Sequence, residues 1–231
     1  MQPAEILIGR TLASDVLYRL RQDIMQGGFP PNGRLRFEAL REAYGVSFST
    51  LREALAHLTQ EGLVVAEGQR GFRVAPVSRG DLYDLCETRV VIERAIIARA
   101  LPRGDAAWEA SLRNALAELH RVTEGDSSID TLMSPAWQAA HRKLHETLLA
   151  PCGSPTLLFL RERLYNRALR YRQLALRHGV LTDKTDDDHT ELVEAALRRD
   201  VAATCDLAEK HIRQGTTGID AHAELLLKEA V

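Results

Sequence analysis

GVSFSTLREALAHLTQEGLVV, residues 45–65, decides how the N-terminal third of this chain folds. Gly45 follows one apolar helix pattern and Ser47 precedes another. That is the layout of a helix-turn-helix, whose second helix enters the DNA major groove. The spacing predicts a helix over 49–61 that buries Leu51, Ala54, Leu55 and Leu58. Ser47, Phe48, Ser49, Thr50 and Arg52 are left at its start or on its outer side. Hydroxyls, backbone N–H groups and an arginine at a helix N-terminus suit phosphate contacts. Phe48 stands where such a helix first meets bases. A ring cannot make the bidentate hydrogen bonds that read guanine, which leaves apolar contact with a thymine methyl or a packing role.

Working outward, Leu12, Val16, Leu20 and Ile24 mark an amphipathic helix over 11–27. FPPNGRL then reads as a tight connection, and Phe37 to Tyr44 as a short helix. LVVAEGQRGFRV reads as strand, glycine turn, strand. Three helices followed by a hairpin make a winged helix-turn-helix. Arg34 and Arg36 precede the recognition helix, and Arg70, between Gly68 and Gly71, suits a wing tip reaching along double-stranded DNA. A winged helix used only for protein contacts is the alternative. Beyond residue 80 the patterns are helical, over 81–101, 105–123, 134–149, 154–177, 183–199, 200–214 and 220–229, with EGDSSID (124–130) as a loop. The expected architecture is mainly α: a winged helix-turn-helix in residues 1–76 and an all-α helical bundle in residues 80–231.

With 45% hydrophobic and 27% charged residues, the 231-residue chain has the composition of a globular protein of two domains. No apolar stretch approaches the roughly 18 residues that span a membrane, and the N-terminus lacks the signature of a secretory signal. Cys86, Cys152 and Cys205 are few and scattered, which fits a reducing cytoplasm. Thirty basic residues against thirty-two acidic ones give no overall electrostatic footprint for nucleic acid. Residues 1–78, with nine Arg, no Lys and eight acids, are only slightly basic. Affinity for DNA must then come from a local arginine patch, doubled by dimerisation.

The second domain carries the more unusual chemistry. His141 and His145 lie four apart on the apolar face of one helix, with Trp137, Leu144 and Leu148. His189 shares a face with Leu192, Val193 and Ala196, and His211 with Leu207, Ala208 and Ile212. An i, i+4 histidine pair projects both rings from one side and can chelate a metal. Neutral histidines joined in a buried polar network are the alternative. Arg89 and Glu93 fall within the apolar face of the 81–101 helix, where a charge must be paired or bind something. Arg161, Tyr165 and Arg172 flank the inner stripe of the 154–177 helix, while Arg163, Arg167, Arg170 and Arg177 point to its outer side. One reading is an intrahelical salt bridge. The other is that Arg89, with Arg161 or Arg172, clamps an anionic effector, since a guanidinium fork pairs bidentately with a carboxylate.

GRLRFEALREAYGVSFSTLREALAHLTQEGLVVAEGQRGFRV resembles the DNA-binding domain of the GntR family of bacterial transcription regulators, above all in LREAL followed by EGLV. The family pattern has an arginine at the position of Phe48 and an acidic residue at that of Phe37. HRKLH (141–145), His189 and His211 resemble, in order and spacing, the metal-holding pattern of the FCD domain in the FadR-type branch. There His141 takes the place of an Asp, which favours Zn²⁺ or Ni²⁺ over Mg²⁺ or Mn²⁺. ETRVVIERAIIARAL resembles the first-helix motif of that domain, and residues 136–177 look most like the carbon-starvation, glutarate-responsive repressor group.

The resemblance implies a dimeric, metabolite-responsive repressor with a divalent metal and a small carboxylate effector, a dicarboxylate or hydroxy acid. A metal-dependent hydrolase fused to a winged helix is the rival, although Glu146 and Glu191 point away from the histidines. A purely structural module without metal is a third reading.

Overall fold

The computed structural model describes residues 12–123, 128–180 and 186–222. They form two compact units that divide between Val77 and Ser78.

The first unit holds α1 (Leu12–Met25), β1 (Arg34–Leu35), α2 (Phe37–Tyr44), α3 (Phe48–Gln60), β2 (Val64–Ala66) and β3 (Phe72–Val74). α1 buries Val16, Leu20 and Ile24, one per turn, against Leu51, Leu55 and Leu58 of α3. Gly45 closes α2 in the left-handed region at φ 66°, and its N–H bonds the Arg41 carbonyl. A side chain there would strain the turn. Ser47 then opens α3, its Oγ accepting the Thr50 N–H at 3.2 Å. β3 lies between β1 and β2 and is antiparallel to both, with Leu35 opposite Phe72 and Val64 opposite Val74. The hairpin turn is one 3-10 turn, Gly68–Arg70, followed by Gly71 at φ 94°. Arg73 Nε donates to Glu67 Oε1 at 2.5 Å across the base of this wing.

The second unit holds α4 (Arg79–Ala100), α5 (Ala106–Thr123), α6 (Ile129–Met133), α7 (Pro135–Leu149), α8 (Pro155–Arg177), α9 (Asp186–Leu197) and α10 (Val201–Asp220). Side-chain caps open six of them, from Ser78, Asp105, Ser128, Ser134, Ser154 and Asp200. α4 packs along α8 and α10, and α5 against α7 and α9. Ile96, Leu101, Leu112, Leu119, Leu144 and Ala196 lie in the shared core. Arg199 ends α9 at φ 60°, a conformation that side chains other than glycine rarely take. Its guanidinium holds the corner between α4 and α5, donating to the carbonyls of Leu101 (3.1 Å) and Gly104 (2.9 Å) and to Glu109 Oε1 (2.7 Å).

Several expectations change. β1 occupies part of the predicted connection FPPNGRL, and α6 begins inside the predicted EGDSSID loop, of which 124–127 lie outside the described residues. α10 continues through Gly215–Gly218, poor helix formers, because Thr216 and Ile219 are buried. Asp220 therefore ends α10 instead of starting another helix, and residues 223–229 of that predicted helix lie outside the described residues, as do 183–185. Arg170, placed on the outer side by its spacing, is 4% exposed, and burial pushes its guanidinium down to about 10. Among the described residues no helix is long and apolar enough to cross a membrane.

Candidate functional site

α7 carries His141 and His145 one turn apart, and both are buried. His189 on α9 is buried and His211 on α10 half-buried. One ring nitrogen from each of the four lies within 4.8 Å of every other. Nitrogens around a tetrahedral zinc with ~2.1 Å bonds stand ~3.4 Å apart, so a small inward rotation of the rings would complete such a sphere. His141 Nδ1 and the Tyr165 hydroxyl stand 3.4 Å apart, while His141 Nε2 and His145 Nε2 are buried with no hydrogen-bond partner. Burial, reinforced by the neighbouring rings and guanidinium groups, holds both histidines well below the ordinary imidazole range. Neutral imidazoles with buried lone pairs are the form that coordinates a divalent metal, so the residues present fit the ion.

The five candidate effector residues gather over the same histidines. Cavities of about 60 and 20 Å³ share Arg89, His141, Tyr165 and His211 in their walls. Arg172 lines the larger, and Glu93, His145 and Arg161 the smaller. Glu93 pairs across to α8, with Arg161 Nε 3.6 Å from its Oε2 and both side chains buried. The pair runs between helices, unlike the bridge within α4 that is one of the two readings of the spacing. The Arg161 guanidinium also covers the Tyr165 ring at 4.7 Å, and Arg172 covers Trp137 at 4.4 Å. Trp137 in turn stacks on His141, with centroids 4.6 Å apart. Burial lowers the Arg89 guanidinium, and Glu93 partly restores it. Three guanidinium groups and one carboxylate line the two cavities, leaving an excess of positive charge.

In the first unit, Ser47 is the cap of α3, Ser49 is exposed and Thr50 is half-buried. Arg34, Arg36, Arg52 and Arg70 are all exposed. The start of α3 is tied to the start of α2 through Phe48 and Phe37, whose stacked rings lie 4.2 Å apart. Arg36, the cap residue of α2, is thereby brought near the Ser47 turn, while Arg52 lies a turn further along α3 and Arg70 on the wing.

Residues 12–74 match the family described as bacterial regulatory proteins, gntR family, and residues 84–214 match the FCD domain. The HTH-type transcriptional repressor GlaR of Escherichia coli (strain K12) is 35% identical over 84% of this chain and 89% of its own length. This chain belongs to the GntR family. The HTH-type transcriptional regulator BphR of Paraburkholderia xenovorans (strain LB400) is 33% identical over 91% of this chain and 86% of its own. The solved structure of E. coli McbR/YncC shares the fold, with a TM-score of 0.70 at 20% identity, covering 92% of this chain and 99% of that one. This GntR-family protein is a sequence-specific DNA-binding transcription regulator, not an enzyme. Glu146, which the hydrolase rival would need near the histidines, is exposed on α7 and pairs with Arg142 at 3.7 Å.

The stack of Trp137 on His141 follows from their spacing of four, but two features of this GntR-family chain escape the sequence. The pairing of Phe37 with Phe48 joins two helices and has no sequence signal. Gly215, Thr216 and Ile219 line the larger cavity from the part of α10 where the pattern of helix formers fails.

Proposed function

We propose that this chain is a homodimeric, cytoplasmic, metabolite-responsive repressor. Its winged helix binds operator DNA through Arg34, Arg36, Ser47, Phe48, Ser49, Thr50, Arg52 and Arg70. Its helical unit holds a divalent metal, Zn²⁺ or Ni²⁺, on His141, His145, His189 and His211. The domains are residues 1–76 and 80–231. The observation that carries the effector reading is the convergence of four ring nitrogens within 4.8 Å beneath an excess of guanidinium charge.

When bound, the metal would supply a Lewis acid beside the cavity, reaching a carboxylate oxygen by extending its coordination beyond the four imidazoles. Arg89, Arg161 and Arg172 line the two cavities and select an anion, because guanidinium groups shielded from water favour a bidentate carboxylate partner. Tyr165 orients His141 through its hydroxyl and shields the Arg161 guanidinium with its ring. The small cavities favour a compact acid, a dicarboxylate or hydroxy acid, over a nucleotide. Glu93 holds Arg161 until a ligand carboxylate competes for it. Binding would shift the regulator only if the ligand prefers the DNA-incompetent state.

The test combines metal analysis of untagged protein with anisotropy titrations on its own upstream DNA. Stoichiometric Zn²⁺ or Ni²⁺, salt-sensitive operator binding and release by a short dicarboxylate are expected. Operator binding unaffected by any organic acid in the metal-loaded protein would overturn the effector reading.

A further inference from the structure

We infer that Phe48, steadied by Phe37 and Phe72, is the specificity-determining side chain of the recognition helix and reads a thymine methyl group by apolar contact. The inference rests on the DNA-binding reading and adds the chemistry of base selection to it. Three of the five phenylalanines in the chain meet here. They come from three elements: Phe37 opens α2, Phe48 opens α3 and Phe72 opens β3. Phe37 and Phe48 stack at 4.2 Å and 20°, and Phe72 meets Phe37 edge-on at 5.9 Å and 65°. Rings gathered only for packing would be covered, yet Phe48 is 46% exposed. Such exposure is unfavourable in water and is relieved when an apolar group covers the ring. The stack holds the ring in one place, so little side-chain freedom remains to be lost on contact.

The polar groups beside it are already engaged. Ser47 Oγ lies 2.8 Å from Ser49 Oγ and 2.9 Å from Thr50 Oγ1, and it caps the Thr50 N–H. Phe48 is thus the large exposed side chain at the end of α3 that meets base edges in a helix-turn-helix. Of the groups displayed in the major groove, the thymine C5 methyl is the one that an aromatic ring can select, because the others are hydrogen-bond donors and acceptors.

The experiment uses the full-length protein and an operator selected from random duplex DNA. Each thymine of the selected site is replaced in turn by uracil, which removes the methyl and keeps the hydrogen-bonding edge. Binding is read by anisotropy for the wild type, Phe48→Ser, Phe48→Leu and Phe37→Ala, with circular dichroism melts to confirm folding. At one thymine or more, uracil should weaken wild-type binding about fourfold, the effect of one buried methyl. Phe48→Ser should bind thymine DNA more weakly and lose nothing further with uracil. Phe48→Leu should retain part of the thymine preference, and it decides the matter if Phe48→Ser does not fold. Phe37→Ala should reduce the preference by releasing the stack. Selective DNA binding with no uracil penalty, or with the same penalty in wild type and Phe48 variants, overturns the inference and leaves the DNA-binding reading standing. A wild-type protein that selects no site overturns both.

Discussion

His141 stands where the family pattern places an Asp, and this one exchange sets the character of the proposed metal site. Imidazole coordinates in its neutral form, so a set of four would favour borderline ions over hard ones that prefer oxygen ligands. His141→Asp should retain metal but shift preference toward Mn²⁺, seen as a loss of Zn²⁺ selectivity in competition experiments followed by elemental analysis. His145→Ala should lower Zn²⁺ affinity by at least 100-fold. The metal-free protein also makes a prediction about pH. His141 and His145 are held below the ordinary value of 6.5 by burial, so the unfolded chain takes up protons that the folded one refuses. Stability is therefore retained above about pH 6.5 and falls as the pH drops below it, by about 1.4 kcal/mol per pH unit for each such histidine. Thermal melts of chelator-treated protein between pH 7.5 and 5.5 measure this. A flat profile would contradict the burial of neutral rings.

At the scale of elements, long amphipathic patterns were legible and short or enclosed ones were not. α2 follows its predicted bounds because Gly45 and the apolar spacing act together. β1 has two residues, too few for an alternation to be seen. Arg170 was misplaced because a helical wheel assumes one wet face, and every residue of α8 from Arg170 to Leu176 is buried. The histidine cluster was visible in part, since a spacing of four marks one face of a helix. The Glu93–Arg161 pair was not, because its members lie on α4 and α8 and only the fold joins them. Arg199 offers a test of how a corner between elements is held. Replacing it with Ala should cost about 2–3 kcal/mol, from lost charged hydrogen bonds and a left-handed backbone left uncompensated. Arg199→Gly loses the same bonds but suits the backbone, so it should be the more stable of the two by about 1 kcal/mol in urea denaturation.

At the scale of the whole molecule, the question is how a ligand among the helices reaches the winged helix. α8 carries Arg161, Tyr165 and Arg172, and between the last two lies Tyr171. The Tyr171 hydroxyl accepts the Ser78 N–H at 3.1 Å and donates to Asp81 Oδ2 at 2.7 Å, while Arg167 also pairs with Asp81. The first turn of α4, where the chain enters the helical unit, is therefore pinned to the helix that lines the cavity. Tyr171→Phe should leave operator affinity without effector within about twofold and reduce the effector-induced change severalfold, in the same anisotropy titrations. An ion held by the four histidines would tie α7, α9 and α10 together, a reversible cross-link between residues 141 and 211. Because the unfolded chain would release it, the ion would stabilise the fold by its binding free energy, about 4 kcal/mol at a free concentration a thousandfold above its dissociation constant. Removing the ion should then loosen α9 and α10 as a unit, with hydrogen exchange rising there first and α5 keeping its protection longest.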